Sequence, residues 1–136
     1  MDVEKALSSV QKDIPDCVAV GYVDMTSGSV LGVKTLDQIP LDVLDLVASA
    51  TKDMFQGDSV ITIERLFKDM RGTPFGDSPH VFQEILIFSQ NLLHFFIRGK
   101  RYPDQVSVFV CKRTANIGMV IAKTRLAVPV IEASMD

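Results

Sequence analysis

The sequence predicts an α+β fold, a five-stranded antiparallel sheet with flanking helices, in the order α-β-β-α-(α)-β-β-β-α. Three observations lead there. Apolar residues recur at helical spacing near both ends of the chain and in its middle. Two β-branched runs, Cys17–Val23 and Ser29–Lys34, flank a stretch of turn-forming residues. Three more such runs follow one another between residues 81 and 113, and strands joined by short turns pair antiparallel.

Val3, Ala6, Leu7, Val10 and Ile14 share one helical face, and Pro15 ends that helix because the residue before a proline avoids the helical region. Cys17–Val23 (CVAVGYV) reads as a strand buried on both faces. The turn Asp24–Gly28 (DMTSG), with Gly28 free to take positive φ, leads into the second strand. Pro40 opens a middle helix, LDVLDLVASATKDMF. On it Val43, Val47, Ala50 and Met54 form one apolar stripe, and Leu44, Ala48 and Phe55 a second, with Leu46 further round. A stripe about 100° wide suffices for a helix lying on one sheet. This one is wider, so the helix touches something besides its own core: a second copy or a different protein.

Gly57 stops that helix. Asp58–Met70 is read as a further short helix, with Ile63, Leu66, Phe67 and Met70 in register and Ser59 or Thr62 as cap, although Ser59–Ile63 alone also suits a strand. Arg71–His80 holds two glycines and two prolines and reads as a loop. The strands Val81–Ser89, Leu92–Arg98 and Gln105–Arg113 follow, the first two joined by the two-residue turn Gln90-Asn91. In the last strand Val106, Val108 and Val110 face one way, and Ser107, Phe109 and Cys111 the other. Asn116 caps a final helix through Ile117, Val120, Ile121, Thr124 and Leu126, expected to end near Pro129.

At 136 residues, 47% hydrophobic and 23% charged, the chain suits one core, so residues 1–136 are read as a single domain. No apolar run approaches the roughly 18 residues of a membrane span, and the acidic start MDVEKALSSV does not resemble a secretory signal, so a cytoplasmic protein without membrane insertion is expected. A net charge of −3 argues against a nucleic-acid partner. The charge is uneven: residues 1–69 carry −6 and residues 70–136 carry +3. Either each half solvates its own surface, or an acidic helix face and a basic sheet edge meet different partners.

Candidate chemistry is sparse. Neither GxGxxG nor GxxxxGK[ST] occurs, which excludes a P-loop. His94 has no second histidine at ligand spacing, and His80 falls in a loop, so His94 is expected to be structural and no metal is expected. Cys17 and Cys111 are read as buried free thiols, with Lys112 and Arg113 leaving redox sensitivity at Cys111 as a minor reading. Arg98, Lys100 and Arg101 read as a solvated hairpin tip. Gly118, costly in a helix by about 1 kcal/mol, is expected to allow close packing of that turn on the sheet. No nucleophile–base or carboxylate pair emerges from spacing, so no catalytic residue and no cofactor are assigned.

The segments CVAVGYVDMTSGSVLG, VLDLVASATKDMF, FQEILIFSQNLLHFFIRG and ANIGMVIAKTR resemble the roadblock / dynein light chain family, over roughly Val3–Leu126. The more specific features are the Asp24-to-Gly28 turn and Asn116-Ile117-Gly118. The resemblance implies a profilin-like roadblock fold, a homodimer joined through the middle helix and third strand into one continuous sheet, and no catalysis. It also implies a platform for small Ras-like GTPases, dynein or larger scaffold assemblies. Compact members lack the segment at about 58–80, an insertion beside the helix that would face a GTPase. The expected dimer surface is Leu44, Leu46, Val47, Ala48 and Met54 with Ile85 and Ile87; the expected partner surface is Asp42, Asp45, Ser49, Lys52 and Asp53. The same element order also suits a small-molecule sensor of profilin-like or PAS-like architecture, with a ligand between sheet and helix.

Overall fold

In a computed structural model, which describes residues 2–36, 41–71 and 82–136, Asp2 starts the first helix (α1, Val3–Asp13) by accepting the Lys5 N–H at 2.8 Å. Ile14 is already extended, as Pro15 requires, and Asp16 takes a left-handed φ of 51° to turn the chain into β1 (Cys17–Asp24). The following turn closes on Asp24, whose carboxylate accepts the Thr26 N–H at 3.0 Å and whose carbonyl accepts the Gly28 N–H at 2.9 Å. Gly28 has φ 73°, the freedom expected of it, and β2 (Ser29–Thr35) returns antiparallel to β1. The entry at Pro40, nearly all of the expected loop and the expected strand start at Val81 lie outside the described residues.

Two helices follow, α2 (Leu41–Gln56) and α3 (Asp58–Arg71), separated at Gly57, so the helical reading of 58–70 holds and the strand alternative does not. The third strand is shorter than expected: β3 is Glu84–Phe88. Side chains take the backbone groups that an earlier start would have placed in the ladder. The Phe82 N–H donates to Glu64 Oε2 at 3.0 Å, and the Phe82 carbonyl accepts Arg98 Nε–H at 2.9 Å. Then come β4 (Leu92–Arg98), β5 (Gln105–Lys112) and α4 (Ile117–Ala133), which Asn116 caps by accepting the Met119 N–H at 3.1 Å.

α4 does not stop near Pro129. It runs through the proline to Ala133, because the extra turn buries Val128 and Ile131 and sends the Glu132 carboxylate to the Arg101 and Tyr102 N–H groups at 3.0 and 2.8 Å. These gains offset the one backbone hydrogen bond a mid-helix proline forfeits.

The sheet runs β2-β1-β5-β4-β3, antiparallel throughout. α1 and α4 cover one face over a core that includes Leu7, Val10, Phe95, Phe109, Val120 and Ile131. α2 sits on the other face, where Ala48 and Phe55 join Val23, Met25, Phe96 and Val108 in a second core. Alternation along β5 assigns its side chains as expected, Phe109 and Cys111 to the first core, Val106 and Val108 to the second.

Candidate protein-binding surface

The α2 face of the sheet is only partly covered. Ala48, Thr51 and Phe55, at helical spacing, form the buried stripe of α2, each fully inaccessible, and the Thr51 hydroxyl donates back to the Val47 carbonyl at 2.8 Å. The neighbouring stripe of Val47, Ala50 and Met54 instead borders an open groove of about 570 Å³. Across it stand Ile87, His94, Phe96 and Val108 of the sheet. Of the surplus apolar residues read from the sequence, Leu44, Leu46 and Ala48, Leu46 is exposed and Ala48 is buried, and the stripe that faces the channel between helix and sheet is Val47, Ala50 and Met54.

The groove reaches the edge of the sheet. Among the described residues β3 pairs only with β4 and no strand pairs its outer edge, where Ile87 and Phe88 are exposed. Arg113 lies over the Phe88 ring at 5.0 Å, its Nη1–H on the Ser89 carbonyl at 2.8 Å. His94 lines the floor with Nε2 3.1 Å from Ser89 Oγ. Burial holds the imidazole below its ordinary pKa.

The expected dimer residues divide accordingly. Leu46, 69% exposed, and Val47 stand free on α2, and Ile87 stands free on β3. Met54 and Ile85 are half-buried against the chain's own second core. Ala48 is a correction: it is fully buried in that core, where its small side chain lets α2 approach the sheet, so it is closed to a second subunit. Among the expected partner residues, Ser49, Lys52 and Asp53 are exposed on α2. The side chains of Leu44, Asp42 and Asp45 lie outside the described residues.

Other features were not read from the sequence. Arg98 does not belong to a solvated tip: it is 2% exposed and donates to the carbonyls of Phe82, Pro103 and Phe55 at 2.9, 3.0 and 3.4 Å, with Phe55's ring 5.0 Å below. It sits at the last residue of β4, where the alternation points it inward beneath the C-terminal turn of α2, while Lys100 and Arg101 remain exposed. Gly118 is also solvent-exposed, and an added Cβ would meet only Asn116 Oδ1 at 3.4 Å, so close packing on the sheet is not its reason. Ile63, Leu66 and Phe67, in register on α3 as expected, are exposed. A second groove, about 610 Å³, lies between α4 and the β4–β5 hairpin, with Ile97, Val128 and Pro129 as apolar lining and Lys100, Arg101 and Arg125 as cations.

No family model and no curated protein matches the sequence. Solved structures do match. A Roadblock/LC7 domain from Streptomyces avermitilis superimposes with a TM-score of 0.67 at 15% identity, covering 99% of this chain and 98% of that one. The chain has the roadblock fold. MglB of Myxococcus xanthus matches with a TM-score of 0.67 at 16% identity over 95% of this chain and 90% of that one. The gliding protein MglB from Thermus thermophilus matches with a TM-score of 0.65 at 19% identity, over 93% and 83%. On this roadblock fold the groove and the open β3 edge lie side by side, and no three His, Cys, Asp or Glu side chains converge as metal ligands among the described residues. No described helix is long and apolar enough to cross a membrane.

Proposed function

We propose that the chain is a non-enzymatic, homodimeric regulatory module that binds a small Ras-like GTPase or a related scaffold protein in the cytoplasm. One observation carries the proposal. The apolar stripe of α2 and the edge of β3 that no described strand pairs border the same groove, so a twofold copy would bury Val47 and Ile87, with the exposed Leu46 at the rim, and extend the sheet in one contact. The solved MglB that carries the description "with tetrameric arrangement" has the same fold with a TM-score of 0.64 at 19% identity, which supports self-association as a use of this scaffold. The exposed polar residues of α2, Ser49, Lys52 and Asp53, are the proposed partner surface, with Ser49 and Asp53 at i+3 and i+7 from Leu46 and so at the rim of the dimer contact. Residues 58–80 are read as an insertion in a single domain.

Sedimentation at micromolar concentration tests the dimer. The wild type is expected as a two-subunit species, and Leu46→Asp and Ile87→Asp as single subunits with native circular dichroism. A wild type that sediments as one subunit, with both variants unchanged in size and melting, overturns the proposal. Retention of a small GTPase from lysate charged with GTP or with GDP, reduced by Asp53→Lys in an intact dimer, tests the partner. The small-molecule sensor uses the same groove, and would show as a metabolite-dependent rise in melting temperature by a single subunit.

A further inference from the structure

Cys17 and Cys111 are far apart in sequence yet stand directly opposite each other on β1 and β5, the second and third strands of the sheet. The hydrogen bonds around them define the kind of position this is. The Lys112 N–H donates to the Asp16 carbonyl at 3.0 Å, while the Cys17 N–H turns away to the Ile14 carbonyl. The pair flanking the cysteines is thus the hydrogen-bonded one, and the cysteines occupy a non-hydrogen-bonded site. At such sites the Cα atoms approach to about 4.5 Å and the side chains stand closest, inside the range of about 4.4–6.8 Å that a disulfide spans. A bulge follows at once, with register passing from Cys17↔Cys111 to Ala19↔Val110, so this end of β1 has local slack.

Both cysteines are free thiols in the α1–α4 core. Cys17, at 8% exposure, is the more accessible; Cys111 is fully buried. The Cys17 thiol also contacts the Ala19 carbonyl at 3.3 Å. The contact with Cys111 holds Cys17 below the ordinary thiol pKa, whereas that contact and burial push Cys111 up. Small hydrophobic fillers would not need to face each other at the closest cross-strand position of two central strands.

We infer that Cys17 and Cys111 form an intramolecular two-electron oxidation site, which closes to a cross-strand disulfide on reaction with a peroxide. The Cys17 thiolate attacks one oxygen of hydrogen peroxide and the O–O bond breaks. The departing hydroxide takes up the Cys17 proton and leaves as water, with Cys17 now a sulfenic acid. The Cys111 sulfur attacks the Cys17 sulfur, the S–S bond forms, and the expelled hydroxide leaves as a second water with the Cys111 proton. Two thiols lose two electrons in total, and the peroxide gains them. The linked strands are already neighbours, so the cross-link closes a long loop without rearranging the sheet.

The test treats the native full-length chain with hydrogen peroxide, quenches with catalase, then unfolds and alkylates it. Expected are a mass lower by two hydrogens, no alkylation, and one unreduced peptide pair joining residues 17 and 111. Dithiothreitol should restore two alkylatable thiols. The oxidised form should melt higher by roughly 5–15 °C with unchanged circular dichroism. In Cys111→Ser, dimedone should label Cys17 and the melting shift should disappear. The inference is overturned if both thiols remain alkylatable, if each is oxidised without a linked peptide, or if the only disulfides join separate chains. The mass measurement on the wild type decides the matter even if the serine variant fails to fold.

Discussion

Consider Arg98→Met, which keeps a long apolar stem in place and deletes the guanidinium. In the wild type this group ties together the chain entering β3 through Phe82, the β4–β5 loop through Pro103, and the last turn of α2 through Phe55. The α2 carbonyl lies at the negative end of the helix dipole, where a cation is favoured. Burial pulls the Arg98 pKa down and the nearby carboxylates of Glu64 and Asp104 pull it back, so the group stays charged at every ordinary pH. Each of the two shorter bonds is a charge-assisted contact worth about 1.5 kcal/mol net. The ring contact with Phe55 adds about 1 kcal/mol, and the 3.4 Å bond adds little. The loss is therefore about 4 kcal/mol. An unfolding entropy of about 2 cal/mol/K per residue converts this to a melting temperature lower by about 14 °C for a chain of this length. Thermal unfolding followed by circular dichroism, at one fixed protein concentration, reads the shift. Arg98→Lys, which keeps charge but not the fork, should fall between. A fall of less than 3 °C for Arg98→Met would refute the claim that this one side chain holds the three segments together.

Two glycines should respond in opposite directions. Gly118→Ala, at an exposed helical site with room for a Cβ, is expected to raise stability by about 0.5–1 kcal/mol. Gly99→Ala would put its Cβ onto the Tyr102 carbonyl and 2.7 Å from Glu132 Oε2, and should cost about 2 kcal/mol or more by splaying the hairpin from α4. Parallel denaturant titrations check both. The third prediction concerns His94, whose folded-state pKa lies below that of the unfolded chain. The unfolded state then binds the extra proton first, so stability is intact above about pH 6.5 and declines as pH falls below it. His94→Gln should flatten that decline, measured as the denaturant midpoint between pH 7.5 and 5.5.

Much of the architecture was legible because it depends on local chemistry. Asn116 caps, Gly28 turns, and Pro15 and Gly57 punctuate whatever the rest of the chain does. The alternation along β5 and the two stripes of α2 follow from backbone periodicity alone. The candidate surface was half legible for the same reason. Periodicity showed that α2 has two apolar stripes but not which one meets the sheet, and so misplaced Ala48. Charge type was a poor guide: Arg98 and Lys100 are near neighbours in the same basic run, and strand alternation buries one while the turn exposes the other.

Element order, strand pairs joined by tight turns and the oversized apolar face of the middle helix were set by the sequence, since each arises from residues within a few positions of one another. The insertion of β5 beside β1, the meeting of Cys17 with Cys111, the burial of Arg98 beneath α2 and the passage of α4 through Pro129 were decided only in three dimensions. Each of these joins groups distant along the chain, and their energies depend on desolvation and packing density, which exist only once the sheet has closed around its two cores.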